Sequence, residues 1–243
     1  MVKIFFIADL HLSINNTERN SLTISFLDMV VREKGDLYIL GDFFDFWANN
    51  RKILQYNLRV LNKLKELTSH GLKTGFIFGN RDFLISQKAL SPFGIDFLGE
   101  EAEITLDTKR VFLTHGHTLC TSDVKFMRYK QTIWPFFRFF DRIVPGVTEN
   151  YIARKCILRS KKAILSQDES NLQFSVELMR DYFNAGIDVI ICGHAHRMEQ
   201  QFFGEHCFYA LPCWEDGKGN YLLYNGGEFI LHEFSDSDLS PAV

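Results

Sequence analysis

Long apolar runs are missing from this sequence, since no segment approaches the ~18 uninterrupted apolar residues of a membrane-spanning helix. Residues 1–8 lead into Asp9 without the apolar stretch of a secretory signal. The five cysteines are an odd number without a CxxC pair, which argues against a disulfide framework and a zinc knuckle. We therefore expect a protein of the reducing cytoplasm whose cysteines pack as small hydrophobic residues.

Excess charge of one sign is also missing from the chain as a whole. The formal net charge is −3, so attraction to nucleic acid or to an anionic membrane would have to be local. With 243 residues, of which 46% are hydrophobic, the chain can bury a full core as one domain. We expect a single domain over residues 1–243.

Strands and helices alternate in the predicted secondary structure. Short apolar runs predict strands at residues 3–8, 36–40, 74–78, 110–114 and 188–192. Apolar residues at helical spacing predict helices at residues 22–34, 54–67 and 172–183. Shorter strand-like runs follow at residues 207–211, 221–224 and 229–234. The alternation indicates an α/β fold.

Short motifs rich in Asp, Asn and His follow directly after five of the predicted strands. They are Asp9-Leu10-His11, Gly41-Asp42 with Asp45, Gly79-Asn80-Arg81-Asp82, His115-Gly116 and Gly193-His194-Ala195-His196. One such motif alone would be an ordinary turn or a pair of surface histidines. Ligands of α/β sheets bind outside the carboxyl ends of the strands, so the five motifs together indicate one site on one rim.

The residue types of these motifs indicate a site for two metal ions. Carboxylate and imidazole groups suit borderline divalent ions such as Mn²⁺, Zn²⁺ or Fe²⁺. Asp42 is the natural bridge between two ions ~3.5–4 Å apart. His194 and His196, two residues apart on a segment expected to be extended, would diverge toward separate ions. We assign one ion to Asp9, His11, Asp42 and His196, and the other to Asp42, Asn80, His115 and His194.

The ordered motifs resemble those of the calcineurin-like metallophosphoesterase superfamily, which run DxH, GDxxD, GNH[DE], a later His and GHxH. The resemblance extends from Asp9 to His196. It implies a sandwich of two mixed β-sheets flanked by helices. It also implies a dinuclear Mn²⁺-type centre that activates water for attack on phosphorus.

Residues 8–12, 38–42, 79–84, 115–116 and 118–121 are more closely similar to the UDP-2,3-diacylglucosamine diphosphatases of lipid A biosynthesis. This resemblance implies hydrolysis of the pyrophosphate bond of that lipid-linked nucleotide, to UMP and 2,3-diacylglucosamine 1-phosphate. The enzyme would work peripherally at the cytoplasmic face of the inner membrane, without nucleic acid or an obligate protein partner. The resemblance implies catalytic roles for Asn80, Arg81 and His194, and substrate contacts from Asn80, Arg81, Asp123, Ser160 and His194.

Arg81 stands where the superfamily pattern has a histidine. A histidine there can protonate a departing alkoxide, but an arginine stays charged and cannot. It can clamp phosphate oxygens, and a phosphate monoester, with its second pKa near ~6, departs without a proton. Arg81 therefore favours cleavage of a pyrophosphate bond. In the alternative interpretation, Arg81 pairs with Asp82 or Asp45 and only braces the loop.

The segment after residue 124 is aromatic and locally basic. Residues 133–140 carry five aromatic side chains, and residues 125–162 hold ten basic residues against two acidic ones, a local charge of +8. Such a composition suits a surface that meets anionic headgroups. The resemblance identifies it as a helical cap inserted at about residues 122–168. An ordinary aromatic core is the alternative, and the charge alone would also allow nucleic acid, although no nucleic-acid motif accompanies it.

Three positions depart from the diphosphatase pattern. Ile164 and Gln167 stand where an ungapped alignment from Ser160 places Asn and Lys in that family, and His117 replaces a carboxylate. These departures spare the metal ligands but leave the head group and acyl chains of the substrate open. Two alternatives follow: a related phosphoesterase acting on another nucleotide or phosphodiester, and a noncatalytic scaffold of the same fold.

Overall fold

The computed structural model describes residues 3–13, 15–48, 51–120, 134 and 172–239. Within these residues, two β-sheets lie between helices. The first sheet contains β1 (Ile4–Ile7), β2 (Asp36–Leu40), β3 (Thr74–Ile77), β4 (Asp96–Gly99), β10 (Lys218–Asn225) and β11 (Glu228–Ser235). The second contains β5 (Glu101–Leu106), β6 (Lys109–Thr114), β7 (Val189–Cys192), β8 (Glu199–Phe203) and β9 (His206–Ala210). The helices are α1 (Thr17–Glu33), α2 (Arg51–Ser69), α3 (Gln87–Leu90) and α4 (Val176–Asn184), with 3₁₀ turns at Ser91–Phe93 and Asp236–Leu239.

Both sheets are mixed. The first has the order β11-β10-β1-β2-β3-β4, in which β1 to β4 run parallel and the β10–β11 hairpin joins antiparallel to β1. The second has the order β5-β6-β7-β9-β8, with β6, β7 and β9 parallel and the two edge strands antiparallel. The predicted pair of mixed sheets is therefore confirmed.

Strand β1 shows how the core is layered. All four of its residues are buried, and alternate side chains point to opposite faces of the strand. Phe5 and Ile7 pack with α1 and α2, whereas Ile4 and Phe6 pack against the second sheet. A third cluster lies between the second sheet and α4. The layers thus run helix, sheet, sheet, helix. Strand β1 is apolar along its whole length because it is covered on both faces.

Several element boundaries differ from the sequence prediction. Helix α1 begins at Thr17 rather than at residue 22, because Asn16 accepts a hydrogen bond from the Arg19 amide and caps a polar first turn. Helix α4 begins at Val176 rather than at residue 172, because Ser175 caps it. The prediction missed α3, β4, β5 and β8. Strand β8 (EQQFF) is an edge strand whose polar composition gives no apolar run.

Three of the described cysteines, Cys120, Cys192 and Cys213, are buried as expected for small hydrophobic residues, and Cys207 is partly buried. Within the part of the chain that the structure describes, no helix is both long enough and apolar enough to cross a bilayer. Trp134 belongs to the predicted cap, and its ring stacks on Phe83 with centroids 4.4 Å apart. The rest of the cap prediction, residues 122–168, lies outside the described residues.

Candidate metal centre

The five motifs occupy the loops that follow β1, β2, β3, β6 and β7, and hydrogen bonds tie these loops together. The Asp9 amide donates to the Gly41 carbonyl (3.2 Å), and the Gly193 amide donates to the His115 carbonyl (2.9 Å). The His194 amide donates to the Asp9 carboxylate (2.7 Å) and so links the two sheets. The prediction that the motifs share one rim is confirmed, although two sheets rather than one supply it.

Strained backbone is concentrated in these loops. Of the eight described non-glycine residues with positive φ, five belong to the motifs: Asp9, His11, Asp42, His194 and His196. Such conformations cost of order 1–3 kcal/mol each and cluster at functional sites. The segment of His194 and His196 is therefore bent, which corrects the expected extended conformation. Its two positive-φ residues, rather than strand alternation, direct the imidazoles to different places.

Glycines allow the motifs to approach one another closely. A Cβ atom on Gly79 would lie 2.1 Å from Oδ1 of Asp42, and one on Gly193 would lie 2.3 Å from Oδ2 of Asp9. Real side chains do not tolerate such distances. Each of these glycines is thus needed because the carboxylate of another motif occupies the space beside it.

Asp82 connects the loop after β2 with the loop after β3. One carboxylate oxygen accepts from the Gly79 amide (2.7 Å), and the other accepts from the amides of Phe43 (2.9 Å) and Phe44 (3.3 Å). Burial and then the charge of Asp42 raise the pKa of Asp82 to about 7. The sequence indicated Asp82 only as a possible partner of Arg81, whereas its carboxylate accepts hydrogen bonds from backbone amides. The one sequence signal for this role was the acidic residue at the last position of the Gly79-Asn80-Arg81-Asp82 motif.

Asp9, His11 and His196 form the first group of candidate ligands. The Nε2 atoms of the two imidazoles lie 3.1 Å apart, and Oδ1 of Asp9 lies 3.4 Å from Nε2 of His196 and 3.7 Å from Nε2 of His11. Ligands ~2.1 Å from one ion are separated by about 3.0–3.4 Å at right or tetrahedral angles. Two of the three distances fall in this range and the third exceeds it by 0.3 Å, so these atoms form a candidate metal-binding triad.

Asn80, His115 and His194 form the second group, beside Asp42. Nδ1 of His115 lies 2.9 Å from the Leu40 carbonyl, which can only accept, so Nδ1 carries the hydrogen and Nε2 presents a lone pair. That Nε2 atom is 2.9 Å from Oδ1 of Asn80 and 3.7 Å from Oδ1 of Asp42. Nδ1 of His194 lies 3.1 Å from the same Asn80 oxygen.

The electrostatics of the two groups fit divalent cations. Burial, followed by nearby positive groups, lowers the pKa of His11 and of His194, which keeps these imidazoles neutral as metal ligands must be. Burial acts to raise the pKa of Asp9, but His196, His115 and His11 outweigh it and lower that pKa. Oδ1 of Asp9 and Nδ1 of His11 are buried and make no hydrogen bond to any described residue. The donor set therefore fits the ions that the resemblance implies.

Arg81 lies against the carboxylates at the edge of the centre. Its Nη1 atom donates to Oδ1 of Asp45 (2.9 Å), and its Nε atom lies 3.4 Å from Oδ2 of Asp42. Its own amide donates to Oδ1 of Asp42 (2.8 Å). The bracing contact with Asp45 is thus present, and the one with Asp82 is not found among the described contacts of either residue.

His117 was noted in the sequence only as the replacement of a carboxylate, but it has an acidic partner. The ring is buried, and Nε2 lies 2.6 Å from Oε1 of Glu100, at the junction of β4 and β5. Its centroid is 5.7 Å from that of Trp134 and 6.1 Å from that of His194. Glu100 could not be found from sequence, since neither neighbouring strand was predicted. Asp123, Ser160, Ile164 and Gln167 lie outside the described residues.

Comparisons with known proteins agree with this geometry. The family model described as calcineurin-like phosphoesterase matches residues 2–198. The UDP-2,3-diacylglucosamine hydrolase of Aliivibrio fischeri is 30% identical over 95% of this chain and 98% of its own length. That of Pasteurella multocida is 32% identical over 85% of this chain and 87% of its own.

The fold is shared with a solved archaeal phosphodiesterase, at a TM-score of 0.53 and 12% identity, over 96% of this chain and 99% of that one. Together with the ordered motifs, the family match over most of the chain decides its membership. The chain belongs to the calcineurin-like phosphoesterase family.

Proposed function

We propose that this protein is a metal-dependent hydrolase that cleaves the pyrophosphate bond of UDP-2,3-diacylglucosamine, to UMP and 2,3-diacylglucosamine 1-phosphate. The observation that carries the proposal is the pair of ligand clusters, Asp9 with His11 and His196 and Asp9 with Asp42 and His115, with Arg81 against Asp42. The names of the relatives that share most of the chain's length supply the substrate.

The residues would divide between two ions. Asp9, His11, Asp42 and His196 would hold one ion, and Asp42, Asn80, His115 and His194 the other, with Mn²⁺ as the expected metal. Divalent ions in such a site acidify water and polarise phosphoryl oxygens. Distances of 2.9–3.7 Å among the donor atoms of Asp9, His11 and His196, and from His115 to Asn80 and Asp42, support this division. Asp42 lies 3.9 Å from Nδ1 of His11 in the first group.

The chain's own residues would orient and stabilise the reacting phosphate. The Leu40 carbonyl fixes the His115 ring, and the amides of Arg81 and His194 hold the carboxylates of Asp42 and Asp9. The guanidinium of Arg81 would stabilise negative charge as it develops on the phosphoryl oxygens. Asn80 and His194 would contact the same group. No side chain needs to protonate the leaving 2,3-diacylglucosamine 1-phosphate, which departs from the α phosphorus, because a phosphate monoester departs as an anion.

The lipid end of the substrate would lie toward the cap. Trp134 is packed on Phe83 and close to His117, on the side of His115 and His194. Asp123 and Ser160, predicted to contact the head group, belong to the same segment of sequence. The local charge of +8 there supports peripheral contact with the cytoplasmic face of the inner membrane. Co-sedimentation with anionic but not with neutral vesicles tests this contact, and equal binding to both would contradict it.

The direct test incubates purified, Mn²⁺-loaded protein with UDP-2,3-diacylglucosamine and measures UMP. We expect turnover by the wild type and less than a tenth of it in Asp42→Ala, because Asp42 would be shared by both ions. Asp28→Ala is the matched control, since Asp28 is an exposed residue of α1 that pairs with Lys63. Absence of UMP from the wild type would overturn the function and favour another substrate or a noncatalytic scaffold.

A further inference from the structure

A cleft opens beside the first ligand group, and several of its lining residues, among them Arg19, have no role assigned above. Its volume is about 310 Å³, and its walls include His11, His196, Arg81 and Arg19. His115 and His194 do not line it. Small-molecule sites occupy roughly 300–1,000 Å³, so the cleft lies at the lower end of that range, the size of one nucleotide.

Arg19 places a second guanidinium in this cleft, near that of Arg81. It lies in the first turn of α1, where its Nη1 atom donates to the carbonyl of Leu10 (3.2 Å), the residue between Asp9 and His11. Among the described residues, its side chain makes no other hydrogen bond and no ion pair. A guanidinium has five N–H donors, so Arg19 keeps most of its capacity for phosphate oxygens.

The other walls of the cleft combine polar residues with Cys213 and Trp214. Ser13 and Asn16 lie on the loop before α1, and Glu215 also lines the cleft. Hydroxyl, amide and carboxylate groups suit the ribose hydroxyls and the base of a nucleotide better than an acyl chain. Trp134 does not line this cleft and lies near His117 instead.

We propose that this cleft is the subsite for the nucleotide half of the substrate and that Arg19 binds the α-phosphate, which becomes the phosphate of the UMP product. The inference rests on the proposed function for the identity of the nucleotide. It gives the two halves of the substrate separate places: the acylated sugar phosphate beside His194 and Trp134, and the nucleoside monophosphate between Arg19 and Arg81.

The test compares Arg19→Gln with Arg32→Gln, an exposed arginine at the other end of α1 that does not line the cleft. Glutamine loses the charge and, being two atoms shorter, also loses the hydrogen bond to the Leu10 carbonyl, so Mn²⁺ affinity is measured alongside. Calorimetry of UMP binding to Mn²⁺-loaded protein should show about a tenfold or greater loss of affinity in Arg19→Gln only, the size expected for losing charge-assisted hydrogen bonds. Inhibition by 2,3-diacylglucosamine 1-phosphate should stay within twofold of the wild type.

Two outcomes would overturn the inference. One is UMP affinity unchanged in Arg19→Gln. The other is an equal loss of affinity for UMP, for the lipid product and for Mn²⁺, which would mean that Arg19 only braces the metal loop. Turnover of UDP-2,3-diacylglucosamine by the wild type is scored separately. Wild-type protein that binds UMP through Arg19 without hydrolysing this substrate would refute the proposed function alone.

Discussion

Hydrogen bonds to backbone groups orient individual side chains of the candidate metal centre. The Leu40 carbonyl selects the tautomer of His115, and the Arg81 amide fixes one oxygen of Asp42. Such supporting contacts orient ligands and tune their basicity. Because Leu40 acts through its backbone, most replacements of its side chain would keep this hydrogen bond, and its importance is invisible in the sequence.

Arg81 is the residue whose chemistry would favour a pyrophosphate over an alkyl phosphodiester. We expect Arg81→His to lower kcat/KM for UDP-2,3-diacylglucosamine by about 10²–10³, the cost of losing one transition-state donor. The ratio of activity on a 2′,3′-cyclic nucleotide to activity on the pyrophosphate should rise, because histidine can protonate an alkoxide. Steady-state kinetics on both substrates measure this ratio.

Arg81→Gln is the control for that ratio, since glutamine removes the charge without supplying an acid. Only the histidine variant should gain on the cyclic nucleotide. An unchanged ratio in Arg81→His would show that the contact with Asp45, and not the choice of leaving group, explains the arginine.

At the scale of the elements, the loops after β2 and β3 behave as one unit. Asp82 connects them through three backbone amides, and Gly79 lets Asp42 lie against the β3 loop. Buried amides that lose such an acceptor cost about 1–3 kcal/mol each. The carboxylate of Asp42 is therefore positioned by the neighbouring strand as much as by its own.

Gly79→Ala tests this coupling. The new Cβ would meet Oδ1 and the amide of Asp42 at 2.1 and 2.4 Å, so the loop must shift. We expect destabilisation of more than ~2 kcal/mol and a loss of Mn²⁺ affinity, measured by denaturant unfolding and by calorimetry.

The control for Gly79→Ala is Gly71→Ala, which has a φ of +78° and open space around its Cβ. It should cost only about 1 kcal/mol, the backbone penalty, and leave Mn²⁺ binding unchanged. Equal metal affinity in the two variants would refute the proposed role of Gly79.

At the scale of the whole molecule, the strained loops and buried carboxylates oppose folding, and bound ions should offset them. A ligand that binds only the native state at 100 times its Kd stabilises it by ~2.7 kcal/mol. For a domain of this size each kcal/mol raises Tm by roughly 2–4 °C, so removing Mn²⁺ with a chelator should lower Tm by about 5–10 °C.

Thermal scans with and without Mn²⁺ measure this shift. In Asp42→Ala the difference should fall below about 2 °C, because both ions would lose the ligand that we propose they share. A shift of the same size in wild type and variant would place the stabilising ion elsewhere in the molecule.

The sequence by itself determined the strands of the core, the order of the ligands and the family. These features follow from local signals, since buried strands are continuously apolar and the motifs are contiguous. Strand β8, in contrast, has a polar sequence and exists because β9 offers it an edge. The sequence could not show it for that reason.

Only the tertiary structure decided which groups meet. The bent backbone of His194 and His196, the pairing of His117 with Glu100 and the place of Arg19 beside the first ligand group all join residues from distant parts of the chain or depend on strained conformations. Local sequence carries no record of such contacts, because they form only when the carboxyl ends of the two sheets come together.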